Sequence, residues 1–232
     1  MPTIRLLPML LLPAALMAQR PVPYTPGMIV TASTRIAPGQ YRIPSGDSVG
    51  IIVRGTNVTL DLRGVELVGD TTRSRPDQFS GMGILVVGGS QVTVRGATVR
   101  SVKHGLVARG TRGLRLVDSD FSYNQKPRLY SGIEKESLVD WLSFHQNEKQ
   151  EWLRFGAGVY LDGVTGGEIR NVTVRQGMNG LMLNRTDSLL IWNSDFSFNS
   201  GLGIGMYRSS HNRIVHNKVD WNVRGYSHRF YN

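Results

Sequence analysis

One carboxylate and two guanidinium groups stand out as side chains that could act together on a charged ligand: Asp162, Arg109 and Arg208. A carboxylate can orient a hydroxyl or take a proton, and a guanidinium neutralises an anionic group through two parallel hydrogen bonds. Tyr160, Asn184 and Tyr207 supply amide and phenol hydrogen bonding together with ring faces. His211 and His228 could serve as acid, base or ligand near neutral pH, although an isolated loop histidine usually does none of these. The chain has no Cys, which excludes disulfides, thiolate metal sites and a Cys nucleophile. None of this is chemistry unless the backbone brings these residues to one surface.

The element that does so is an internal repeat. Gly50, Gly83, Gly105, Gly158, Gly180, Gly203 and Gly225 each open a short apolar run. Most separations are 22 or 23 residues, and the two longer ones are 22 plus insertions of 11 and 31. A turn-forming residue follows 13 or 14 positions after each of the first six glycines: Gly64, Gly96, Asp118, Asn171, Asn193 and Asn217. Asn124, Asn199 and Asn222 come 19 positions after Gly105, Gly180 and Gly203. These asparagines read as stacked turn residues bonded to one another, and the sequons at Asn57, Asn171 and Asn184 fall inside strand patterns. The intervening segments alternate apolar and polar residues and are too short for helices, so each unit is three short strands.

A 22-residue unit of three strands cannot bury its inner face alone. Stacked in parallel, such units form one continuous core and pair their backbone groups with the coils above and below. The expected fold is all-β, a right-handed parallel β-helix of about seven coils with one helical insertion. Within each opening strand the second and fourth residues after Gly point outward. The fourth-position column is then Arg54, Val87, Arg109, Asp162, Asn184, Tyr207 and Arg229. Arg109 and Asp162 read either as an exposed ion pair between adjacent coils or as part of a ligand groove.

Residues 1–18 read as an export signal, with Arg5 before the apolar run Leu6–Met17. Residues 19–49 are assigned to an N-terminal cap and first coil, and 50–232 to the β-helix. No other stretch is apolar enough to span a membrane. Two segments interrupt the repeat. The loop 70–80 is polar. The insertion 126–155 balances its charges and holds four of the six Glu, so the formal net charge of +10 belongs to the rest of the chain. Leu138, Trp141, Leu142 and His145 predict a helix from about Ser137, with a second turn at Trp152, Leu153 and Phe155. This segment should wall the fourth-position column. The sequence ends seven residues into the coil that Gly225 opens, so either the reading frame is truncated or the last strand edge meets a partner.

From Gly50 onward the chain resembles the parallel β-helix superfamily of pectate lyases, rhamnogalacturonan and polygalacturonan hydrolases, alginate epimerases and periplasmic copper-delivery accessory proteins. The unit that carries the resemblance is Asn179-Gly-Leu-Met-Leu-Asn-Arg-Thr-Asp-Ser-Leu-Leu-Ile-Trp-Asn-Ser-Asp-Phe-Ser-Phe-Asn199. It is specific for fold and silent on chemistry. The Asp pairs and Gly-His-Gly of the hydrolases are missing, as is the Asp-Pro-His-Asp of the epimerases, and one Asp is too few for the calcium cluster of the lyases. No catalytic residue carries over. The resemblance and the positive charge together imply an exported, periplasmic or secreted protein that binds or processes an anionic polysaccharide, without a nucleic-acid module. Lyase or epimerase chemistry would use Asp162, Arg109 and Arg208, with calcium as the candidate cation. Tyr160, Asn184, Tyr207, His211 and His228 would contact substrate. The alternative is a non-catalytic binding or accessory scaffold.

Overall fold

The computed structural model describes residues 20–69, 75–128, 130 and 147–222. The export signal, the helix expected from Ser137, the unit opened by Gly225 and His228 within it lie outside the described residues. In chain order the strands are β1 (Met28–Val30), β2 (Thr34–Arg35), β3 (Gly39–Arg42), β4 (Val49–Thr56), β5 (Thr59–Val68), β6 (Met82–Ser90), β7 (Thr93–Arg100) and β8 (His104–Arg109). They continue with β9 (Arg112–Asp120), β10 (Ala157–Asp162), β11 (Thr165–Thr173), β12 (Leu181–Asn184), β13 (Asp187–Trp192), β14 (Ile204–Tyr207) and β15 (Arg213–Val215). One short helix, α1 (Glu151–Phe155), precedes β10, as the sequence predicted around Trp152 and Leu153.

Every strand pairing is parallel, and the chain winds as a β-helix with three faces. The first face stacks β1, β4, β6, β8, β10, β12 and β14. The second stacks β2, β5, β7, β9, β11, β13 and β15. The long strands β5, β7, β9 and β11 bend midway at left-handed residues, namely Gly64, Gly96, Asp118 and Asn171. Their second halves build a third face, with Val65–Val68 pairing to Ala97–Arg100.

The opening glycines have a steric cause. A Cβ at Gly50 would come within 2.6 Å of the Gly83 carbonyl oxygen. At Gly83 it would lie 2.5 Å from that of Gly105, and at Gly105 2.5 Å from that of Gly158. Successive rungs therefore touch backbone to backbone at this corner, and any side chain would push them apart. Above each glycine the inward residues form columns such as Ile51, Ile84, Leu106, Val159 and Leu181, all buried. Each contributes roughly 1.5–3 kcal/mol by leaving water. Gly27, 23 residues before Gly50, holds the same register at the earliest rung, since Met28 pairs with Ile51, but there the glycine answers to a left-handed backbone (φ 76°) and not to a close carbonyl.

The corners are held by polar stacks. Asn171 donates Nδ2 to Asp118 Oδ1 at 2.7 Å and accepts from Asn193 Nδ2 at 2.6 Å. Asn199 is fully buried; its amide accepts from the Gly177 N–H and donates to the Val174 and Phe196 carbonyls. One sequence assignment slips by a residue. In the last described rung the left-handed turn residue is His216 (φ 54°), and Asn217 moves to the next column, where its Oδ1 accepts from the Ser194 N–H.

Candidate functional site

The fourth-position column forms one ladder on the first face. Arg54 pairs with Val87, Val87 with Arg109, Arg109 with Asp162, Asp162 with Asn184 and Asn184 with Tyr207. Parallel rungs place these residues about 4.8 Å apart along the spiral axis. Arg109 is exposed, Asp162 half-buried and Asn184 buried.

The expected partnership of Arg109 with Asp162 is replaced by a different one. Asp162 Oδ1 accepts from Asn184 Nδ2 at 2.8 Å and from Arg185 Nη2 at 2.7 Å and Nε at 3.1 Å. Arg185 wins because it sits on the turn just beyond the neighbouring strand, in a left-handed conformation (φ 48°) that folds its side chain back over Asp162. Among the described residues Arg109 makes no ion pair. Arg208 occupies the same turn one rung further along (φ 51°) and lies over the Tyr207 ring, 5.2 Å from its centroid. Counting five residues from Gly180 and Gly203 finds Arg185 and Arg208 equally, so the repeat itself held the missing residue.

The second-position column departs further from expectation. Val107, Tyr160 and Met182 point outward from the sheet yet are fully buried, because Trp152 of the returning insertion covers them together with Ala157 at the start of β10. Tyr160 thus offers no ring face to a ligand. Its hydroxyl accepts from Asn147 Nδ2 at 3.1 Å. Burial raises its pKa, opposed by the Asn147 hydrogen bond. Tyr207 donates its hydroxyl to Glu148 Oε1 at 3.0 Å, and the Trp152 ring meets it edge-on at 6.4 Å. Asn147, Glu148 and Trp152 therefore wall the ladder on one side, which the sequence placed only in general terms. His211 lies off this surface, exposed at the corner leading into the second face, with Nδ1 3.0 Å from Ser210 Oγ.

On the other flank of α1, a cleft of about 410 Å³ is lined by Asp47, Met82, Lys103, His104, Lys149 and Arg154. His104 immediately precedes the opening glycine Gly105, a position that the repeat spacing does not mark. Its Nε2 lies 3.0 Å from the Leu153 carbonyl oxygen, which can only accept, so the proton sits on Nε2. Burial, reinforced by the charge of Lys103, pushes its pKa down to about 3. It is a neutral prop beneath the helix.

Among the described residues no three His, Asp or Glu side chains gather as a metal site would require. A cation at Asp162 would find one carboxylate and one amide, which does not fit calcium. No helix among the described residues is long and apolar enough to cross a membrane.

Comparison with protein families matches residues 82–226, more than half of the chain, to the family described as right handed beta helix region. No curated protein and no solved structure matches the chain.

Proposed function

The chain belongs to the right handed beta helix region family, and from that premise we propose that it is an exported protein that holds an anionic polysaccharide along its first-face ladder. The observation that carries this reading is an excess of guanidinium groups on the ladder. Arg109, Arg185 and Arg208 are exposed around Asp162, whose single carboxylate pairs with only one of them. Such an arrangement suits a polymer bearing a carboxylate on successive sugars, with Asp162 Oδ2 left to hydroxyls and the buried Asn184 amide holding the Asp162 carboxylate in place. The formal charge of +10 would draw a polyanion toward it.

Turnover by elimination or epimerisation would begin with removal of the proton on C5 of a uronate. Elimination would then break the C4–O bond as the C4–C5 double bond forms, and epimerisation would return a proton to the opposite face. The residues on the ladder favour binding without turnover. Burial makes Tyr160 keep its proton, Tyr207 is engaged with Glu148, and an arginine side chain gives up its proton only with great difficulty.

The test is gel retardation of the purified protein by polygalacturonate and by alginate, run alongside ultraviolet absorbance for unsaturated product and an assay for new reducing ends. Retardation that weakens steeply with salt supports the reading, and retardation without product supports the scaffold form. Absence of retardation by either polyuronate overturns both.

A further inference from the structure

A second feature of the spiral is independent of the ladder. The three corners each need a left-handed residue on almost every rung, and two of them fill it with glycine, asparagine or aspartate on most rungs, Gln91, Arg185, Ser188, Arg208, His211 and His216 being the other residues there. The first uses Gly88, Gly110, Gly163, Arg185 and Arg208, and the second Gly64, Gly96, Asp118, Asn171, Asn193 and His216. Glycine takes this conformation without penalty, and Asn or Asp with little. The third corner instead carries Tyr123 (φ 58°), Phe198 (φ 61°) and Trp221 (φ 55°), with Ser101 and Gln176 at the remaining rungs. Bulky residues in this region are rare and strained, and strain that is kept on several rungs points to use.

These rings are also exposed, by 52% for Tyr123, 38% for Phe198 and 71% for Trp221. They share one column. The Tyr123 N–H bonds the Arg175 carbonyl on the next rung, and the Phe198 N–H bonds that of Asp220. Two arginines brace the column from the rung before, Arg100 lying 5.1 Å from the Tyr123 centroid and Arg175 4.6 Å from that of Phe198. Both are already neutralised: Arg100 by Asp120 at 2.8 Å and Glu66 at 3.4 Å, and Arg175 by Asp195 at 3.8 Å. Counting Lys218 and Asp220, this edge has three cations and four carboxylates, the reverse of the ladder's balance.

We propose that the third corner is a second binding edge, on which an uncharged, hydroxyl-rich glycan chain stacks along the spiral axis. Phe198 and Trp221 are one rung apart, about 4.8 Å, and Tyr123 stands two rungs from Phe198. Flat apolar rings take the apolar faces of pyranoses. The flanking carboxylates accept hydroxyl hydrogen bonds and repel a phosphate backbone, which disfavours a nucleic-acid strand. The proposal does not depend on the ladder reading.

The experiment is affinity electrophoresis of the full chain through gels containing hydroxyethyl cellulose, soluble starch, galactomannan or xylan, with poly(dT) and polygalacturonate in parallel. Phe198→Asn/Trp221→Asn and Tyr123→Asn are compared with the parent protein. At least one neutral glycan should retard the parent. The double variant should lose tenfold or more in affinity while its melting temperature holds or rises, because Asn accepts the left-handed backbone more readily. Retardation by polygalacturonate should be unchanged in both variants, which separates this edge from the ladder. The proposal is overturned if no neutral glycan retards the parent, if the variants retain the retardation, if binding and melting temperature fall together, or if poly(dT) is the polymer whose binding is lost.

Discussion

The first face of the spiral carries fewer outward charged residues than the second and uses them in the opposite way. On the second face charges meet partners both within a rung and across rungs. Asp61 binds Arg63 and Arg95, each at 2.7 Å, and Glu168 binds Arg115 at 3.2 Å and the Trp192 indole N–H at 2.8 Å. Asp61 is held far below the ordinary carboxylate range by the Arg63 hydrogen bond, with Arg95 adding to it. Around the first-face ladder two carboxylates, Asp162 and the Tyr207-bonded Glu148, face three exposed guanidinium groups. A stacked sheet that satisfies its own charges is wall; one that leaves a surplus of a single sign is prepared for a ligand.

Among single substitutions compared near neutral pH, removing Asp61 should have the largest structural effect. Asp61→Ala strands Arg95, which is about two-thirds buried, and should cost about 3 kcal/mol of unfolding free energy in urea denaturation while leaving polyuronate retardation intact. Its contribution is fully present above the ordinary carboxylate pKa and is lost as pH falls through the depressed folded value.

Next comes the prop beneath α1. His104 is neutral in the fold with a pKa of about 3, whereas the unfolded chain protonates near 6.5. Stability should therefore be full above pH 6.5 and fall progressively toward pH 3, by on the order of 4 kcal/mol in total. His104→Gln should flatten that slope between pH 6.5 and 4 in equilibrium denaturation, a window above the one in which Asp61 acts.

The ladder should behave oppositely to both. Arg109→Ala combined with Arg208→Ala should weaken polyuronate retardation tenfold or more, about 1.4 kcal/mol, and reduce its salt dependence, with the melting temperature nearly unchanged. The smallest effect belongs to Asp162→Asn. The Arg185 pair is mostly exposed on the arginine side, so stability should drop by less than about 1 kcal/mol, and polyuronate should bind as well or better. Weaker binding in Asp162→Asn would mean that the carboxylate, and not the cation surplus, recognises the ligand.

The repeat and the ladder were legible because they follow from rules that act at fixed spacing. The opening glycines recur since a Cβ there collides with the next rung's carbonyl, as at Gly50, Gly83, Gly105 and Gly180, or with a packed side chain, as at Gly158 and Gly203, and alternation then fixes which side of the sheet Arg109, Asp162, Asn184 and Tyr207 take. What alternation cannot tell is whether the outer side meets water. Tyr160 and Met182 point away from the core and are buried all the same, because the cover comes from a non-repeating segment. Arg185 was overlooked for the opposite reason: it lies on the turn just past the strand, where a count of strand positions stops. Residue type points to Asn217 for the left-handed turn, whereas a constant 13 residues from Gly203 leads to His216, which holds it.

The insertion leaves after one rung and returns at the next without disturbing their pairing: His104 still meets Ala157 and Arg109 still meets Asp162, although 53 residues separate each pair instead of 22. By loop-closure entropy the longer detour costs only about 0.8 kcal/mol. The cover over the ladder is thus free to change length and composition at small thermodynamic cost, while the rungs beneath it are bound by backbone contact to their present spacing. Selection for a new ligand would act on the detour first, and the spiral would inherit the result unchanged.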